Sequence, residues 1–235
     1  EIMPSLVGSE MCIRDSNTGG IMTTSQLPTT VSERLRAATA VAHQQAESAR
    51  FVDDLMSGRL DGAQYTRLAV QLYFVYRALE EVGDHLADDP VAAAVVDERL
   101  RRLPRLRADL AALGIDPDTV APLPAVQRYV DAIEATRTDP ARYVAHHYTR
   151  YLGDLSGGQV VAHRMREHYG LDDATLSFYS FEGIDKLKRY KDAYRDRLDG
   201  LPLDADAVER LVSEAVAAFG HNQDMFGELE GVAAA

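Results

Sequence analysis

The sequence predicts a single all-α domain, and three observations predict it. From Thr30 onward, apolar residues recur every three or four positions almost without interruption. No stretch alternates apolar and polar residues as a half-buried strand does. Proline and glycine cut the period into segments of helix length, with no internal repeat and no low-complexity linker. The helical region covers about 30–230.

Each element has its own signal. Thr30 and Glu33 form a T-x-x-E capping box, which satisfies two free N–H groups at a helix start. Leu35, Ala38, Thr39, Ala42, Ala46 and Ala49 follow at helical spacing. Asp61 caps a second helix of about seven turns, whose stripe is Tyr65, Leu68, Leu72, Val75, Tyr76, Leu79, Val82 and Leu86. Two or three shorter helices fill 91–136, punctuated by Pro104, Gly114, Pro117, Pro122 and Pro124. Pro140 suits the first turn of the next helix, which runs to about Tyr169 with Gly170 as its stop. A helix near 183–199 ends at Gly200 and Pro202. The last begins near Asp204 and carries Val208, Leu211, Val212, Ala215, Val216, Phe219 and Phe226.

Residues 1–21 share none of this patterning. The run MPSLVGSEMCIRDS resembles translated sequencing-adapter read-through, which makes Met22 the start of a single domain over 22–235; the alternative is a native disordered tail.

Composition narrows the function. Of 235 residues, 46% are hydrophobic, enough to bury a core. The net charge is −12, from 25 Lys+Arg against 37 Asp+Glu, which argues against general nucleic-acid binding. Cys12 is the sole cysteine, so neither an intrachain disulfide nor a thiolate metal site is available. No apolar run reaches the length of a membrane span, and no secretory signal pattern is visible, so a reducing cytoplasm is the expected location.

One segment breaks the rules of its own helix. Gly153, Gly157 and Gly158 fall inside the 141–169 period, and each costs about 1 kcal/mol relative to alanine. Either the helix ends there and restarts, or its backbone closely approaches a ligand and bends to do so. No proline, asparagine or cap cluster marks a restart. Gly153 and Gly157 share a face, and a surface stripped of side chains suits a large flat ligand.

His43 sits beside Ala42 on the apolar side of the first helix. Such a residue is more often a hydrogen-bonded core histidine than a ligand. Glu47, one turn on, can accept a hydrogen bond from one ring nitrogen, the support a metal-bound imidazole usually has. The helix at 183–199 carries Lys186, Lys188, Arg189, Lys191, Arg195 and Arg197, interleaved with Asp185, Asp192, Asp196 and Asp199. Taken alone this reads as a solvated face; the alternative is an anion clamp on the face of Lys191 and Arg195. His146 and His147 point to different faces, and His163 and His168 are badly spaced for shared ligation. There is no Glu-x-x-His pair, G-x-S-x-G elbow, Walker loop or C-x-x-C, which removes the sequence support for several enzyme classes.

Four segments, in order, resemble the haem oxygenase family across 30–230. They are His43-Gln-Gln-Ala-Glu47, Tyr73-Phe-Val-Tyr76-Arg-Ala-Leu-Glu-Glu81, Tyr148-Thr-Arg-Tyr-Leu-Gly-Asp-Leu-Ser-Gly-Gly-Gln159 and Phe219-Gly-His-Asn222-Gln. The resemblance implies a helical bundle with haem between a proximal helix and a kinked, glycine-rich distal helix. It implies O₂- and electron-dependent cleavage of haem to biliverdin, CO and Fe²⁺, with haem as both cofactor and substrate. His43 is implied as the iron ligand, supported by Glu47. Gly153 and Gly157 are implied to lie over the haem face, and Gly158 and Phe219 to be among the haem-binding residues. Asp154 matches the family's distal aspartate, which holds ordered waters, and Tyr76, Arg150 and Asn222 match other members of that network. Tyr148, Lys191, Arg195 and Arg36 match contacts on the propionate side; the family often has lysine where Arg36 stands. A monomer is implied, with a reductase or ferredoxin as electron donor, since the chain carries no flavin or nicotinamide motif. A neutral imidazole on one haem face leaves the other open to O₂, and glycine there neither blocks nor ligates the iron.

Overall fold

The computed structural model describes residues 30–233. The expectation for residues 1–21 therefore lies outside the described residues. Among these, nine α-helices and four short 3₁₀ turns carry the chain, with no strand.

The first helix, α1 (Val31–Glu47), starts with the complete Thr30–Glu33 capping box. It ends sooner than its apolar spacing suggests. The Ser48 N–H closes onto the carbonyls of Gln44 and Ala46, and Ala49 is extended, so α2 (Arg50–Met56) begins as a separate helix. Only part of the expected α1 stripe is buried: Leu35 and Thr39 face the core, whereas Ala38 is exposed.

The Asp61 carboxylate accepts the Gln64 N–H and caps α3 (Gly62–His85), in which every stripe residue from Tyr65 to Val82 is buried. This helix is the centre of the core; α5 (Leu103–Ala112), α6 (Pro124–Glu134) and α7 (Pro140–Tyr169) pack on it, and the one-turn α4 (Pro90–Ala93) contacts α7. Despite its glycines, α7 is one unbroken helix of 30 residues, which excludes the restart alternative. Gly170 ends it at φ +65°, a left-handed conformation that glycine adopts without a Cβ penalty.

The basic helix α8 (Leu187–Asp199) starts four residues later than position 183. Gly183 has φ +77°, outside helical space, and so delays it. The last helix, α9 (Ala205–Ala233), lies against α1, α2, α6 and α7. It is thus a shared strut for α1 and α7, the two helices that carry most of the predicted site. No helix among the described residues is long and apolar enough to cross a membrane.

Candidate functional site

A cleft opens between α1, α2, α3, α7 and α9, enclosing about 920 Å³ of empty space with its open mouth included. Of the residues singled out from the sequence, His43, Glu47, Arg150, Gly153, Asp154, Gly157, Gly158, Phe219 and Asn222 line it.

On the α1 wall, His43 Nδ1 lies 3.6 Å from Glu47 Oε2. This is within electrostatic reach but longer than a hydrogen bond, so the expected bond from Glu47 is not formed. Among the described residues, no protein group hydrogen-bonds His43 Nε2. The Phe219 ring, 5.7 Å away centroid to centroid, packs against the imidazole. His43 stands in the wall of a mainly apolar cleft.

The α7 wall presents the backbone of Gly153 and Gly157, one helical turn apart, with Asp154 beside them. Tyr76, fully buried on α3, donates its hydroxyl hydrogen to Asp154 Oδ2. Arg150 Nε donates to the same tyrosine oxygen at 3.3 Å, and its guanidinium stands 3.6 Å from Asp154 Oδ1. Arg150 Nη1 donates to Asn222 Oδ1 at 2.8 Å, and Asn222 Nδ2 donates to the Ala218 carbonyl. Three helices therefore meet in one polar network. Burial pushes the Asp154 carboxyl above the ordinary carboxylate range, against the pull of Arg150 and the Tyr76 hydrogen bond. Burial also raises Tyr76 well above a free phenol, so its proton stays on the hydroxyl.

The four remaining predicted residues, Arg36, Tyr148, Lys191 and Arg195, do not line the cleft. Three of them, Arg36, Tyr148 and Arg195, are nevertheless near one another. Burial raises Tyr148, while a Thr39 hydrogen bond and the charges of Arg195 and Arg36 lower it. Lys191 Nζ is 3.2 Å from the hydroxyl of Ser156, the residue before Gly157. Arg195 pairs with Asp192 at 2.9 Å, so part of the basic face is the neutralised surface its sequence suggested.

Gly158 has a second reason to be glycine. A Cβ built there would stand 3.1 Å from Tyr179 Cδ1. Its smallness serves helix-to-turn packing as well as the cleft.

Sequence reasoning missed Val52, Leu55 and Met56 of α2, Phe178 and Tyr179 of the Ser177–Tyr179 turn, and Thr149, Val161 and Phe226. Most read as ordinary core residues. Phe226 was the findable one, since it stands seven residues after Phe219 and therefore on the same face of α9. The other buried histidines are structural: His146 Nε2 pairs with Glu214 at 2.9 Å, and His147 Nδ1 with the Tyr194 hydroxyl at 2.8 Å.

Comparison with known proteins gives one consistent result. The family model described as Heme oxygenase matches residues 29–228. Heme oxygenase 1 of Synechocystis sp. is 38% identical over 204 residues, which are 86% of this chain and 85% of the relative. Heme oxygenase 1 of Homo sapiens is 38% identical over 210 residues, 87% of this chain and 73% of the relative. The crystal structure of the Synechocystis heme oxygenase-1 in complex with heme superposes with a TM-score of 0.83 at 37% identity, covering 88% of this chain and 95% of that one. The heme oxygenase structure from Leptospira interrogans gives 0.81 at 32% identity, covering 85% of this chain and all of that one (100%).

Proposed function

The chain belongs to the haem oxygenase family, and from that premise we propose that its cleft binds haem against His43 and uses the Asp154 network to direct cleavage of the ring. The protein is a haem oxygenase, an oxidoreductase whose family converts haem to biliverdin. The observation that carries the site assignment is one cleft lined both by His43, whose Nε2 no group among the described residues hydrogen-bonds, and by Gly153 and Gly157.

Haem, when bound, supplies the iron and the porphyrin edge that is oxidised, so it is cofactor and substrate together. Everything else falls to the protein. His43 Nε2 would hold the iron, with the Glu47 carboxylate 3.6 Å from Nδ1 to favour the proton on that nitrogen. Phe219 and Phe226 give the ring apolar contact. Gly153 and Gly157 leave the distal face free of any side chain that would ligate iron or exclude O₂. Asp154 is held by Tyr76 and flanked by Arg150 before substrate arrives. It would hold water beside the bound ring, and because Tyr76 and Arg150 already fix the carboxylate, that role needs no reorganisation during reaction. Arg36, Tyr148, Lys191 and Arg195 bind the haem carboxylates and so orient the ring.

O₂ and reducing equivalents come from outside the chain. A cytoplasmic reductase or ferredoxin is the proposed donor, meeting a monomeric protein, because the sequence carries no flavin or nicotinamide motif. Residues 22–235 form one domain in this reading.

A hemin titration tests the assignment. The parent protein takes up one equivalent and shows a histidine–haem Soret band. His43→Ala loses that axial signature; a variant spectrum identical to the parent's would reject His43 as ligand.

A further inference from the structure

Three charged residues, Glu80, Arg102 and Asp109, are buried outside the cleft lining and are not used by the function above. Arg102, which immediately precedes α5, and Asp109, two helical turns on, are each 1% exposed. Both grip the same short turn. Asp109 Oδ1 accepts the Ser177 N–H at 3.0 Å and the Ser177 hydroxyl at 2.5 Å, and its Oδ2 accepts the Phe178 N–H at 2.8 Å. Arg102 Nη1 donates to the Phe178 carbonyl at 2.8 Å and the Ser180 carbonyl at 2.6 Å. Its guanidinium also donates to the carbonyls of Leu100 and Arg99, and its backbone N–H donates to Glu80 Oε1 at 2.5 Å. From α7, Gln159 Nε2 donates to the Tyr179 carbonyl at 2.8 Å.

The turn is therefore held at its N–H groups by an anion and at its carbonyls by a cation. Burying charge is costly, and apolar packing anchors most loops as well. What charge adds here is direction, since each group accepts only one polarity of backbone atom. The fixed turn presents Phe178 and Tyr179 to the cleft. Phe178 meets Tyr76 edge-on, with centroids 5.3 Å apart, and Tyr76 is the donor to Asp154. Tyr179 packs where Gly158 lacks a side chain.

We propose that Arg102 and Asp109 are positioning residues that, by fixing the Phe178–Tyr179 wall, set the in-plane seating of the haem and hence which meso edge it presents to the Asp154 side. This rests on the haem-binding reading above. The proton-bearing network and the wall are then set by one clamp, so the ring and the groups that act on it share a common reference.

The test compares the parent, Asp109→Asn and Phe178→Leu. Asparagine turns an N–H toward a backbone N–H and weakens the clamp; leucine alters the wall without touching the clamp, and carries the test if Asp109→Asn fails to fold. Two readouts are taken on hemin-loaded protein. One is the haem-methyl proton spectrum of the ferric cyanide complex, which reports in-plane seating without turnover. The other is the bilin isomer ratio after a single ascorbate-driven turnover. Both variants are expected to keep the parent's histidine–haem spectrum, to show a second set of methyl resonances, and to shift the isomer ratio about tenfold, the effect of about 1.4 kcal/mol between two competing barriers. Methyl patterns and isomer ratios equal to the parent's in the folded variants would overturn the proposal. Shifted methyl patterns in proteins that release no bilin would uphold the seating and overturn the oxygenase reading. Hemin binding by none of the three would overturn both.

Discussion

Arg150 on α7 and Asn222 on α9 are joined by a 2.8 Å hydrogen bond, which ties the cation beside Asp154 to the helix that also packs against α1. Asn222 is 4% exposed, so water cannot readily replace it. Asn222→Ala is expected to destabilise the fold by about 1.5–3 kcal/mol, the range for a hydrogen bond to a charged group. Turnover should fall with it, as Arg150 loses its anchor. Denaturant titration and single-turnover rates measure the two effects; an unchanged stability would show that Asn222 is not a structural link.

Asp154→Asn keeps shape and removes charge. Hemin affinity should stay within a few-fold of the parent, because His43, the residue proposed to hold the iron, lies on α1. Ring cleavage should fall about 10²–10³-fold, the usual loss when one preorganised electrostatic group is removed. A variant that turns over at the parent rate would remove Asp154 from the mechanism.

Two glycines should respond to alanine with opposite signs. At Gly158 the new methyl meets Tyr179, whose turn is clamped, and overpacking of about 1–3 kcal/mol outweighs a helix gain of about 1 kcal/mol. At Gly227 the methyl meets nothing within 4 Å, so the helix gain stands alone. Chemical denaturation should show Gly158→Ala less stable and Gly227→Ala more stable than the parent; two shifts of the same sign would contradict this packing.

His147 makes the fold acid-sensitive. Burial, helped by the charge of Arg197, lowers its pKa from 6.5 to about 3, against a smaller opposing pull from Asp97. Between those values the unfolded chain binds a proton that the folded chain does not. Stability is therefore present above pH 6.5 and is lost as pH falls toward 3, by about 1.4 kcal/mol per pH unit. From pH 6.5 to about 5.5, above the ordinary carboxylate values of about 4–4.5, His147→Gln should flatten the stability profile by about that slope. His221, also lowered by burial, adds loss of the same sign. An equally steep variant profile would assign the sensitivity elsewhere.

Much of this architecture was legible in residue spacing. The Thr30 cap, the α3 stripe and the Pro140–Gly170 limits of α7 are local signals, set by backbone hydrogen bonding and burial within one helix. The break at Ser48 was not, because Ala42, Ala46 and Ala49 continue the period through a cap that only its backbone geometry reveals. In the site, Gly153 and Gly157 stood out because glycine inside a helix has a known cost. Phe178 and Tyr179 did not, since an aromatic pair in a loop looks like any core contact until α5 fixes where the turn lies. Arg36, Tyr148 and Arg195 belong to different helices, so no spacing rule could group them.

The central claim is that this cleft holds haem and opens its ring. The most direct test mixes the protein with one equivalent of hemin, adds ascorbate in air, and follows the visible spectrum with catalase and an iron(II) chelator present. The account predicts loss of the Soret band, growth of a bilin band and release of chelatable iron. A Soret band that persists through repeated additions of reductant would contradict it and leave a protein that binds haem without cleaving it.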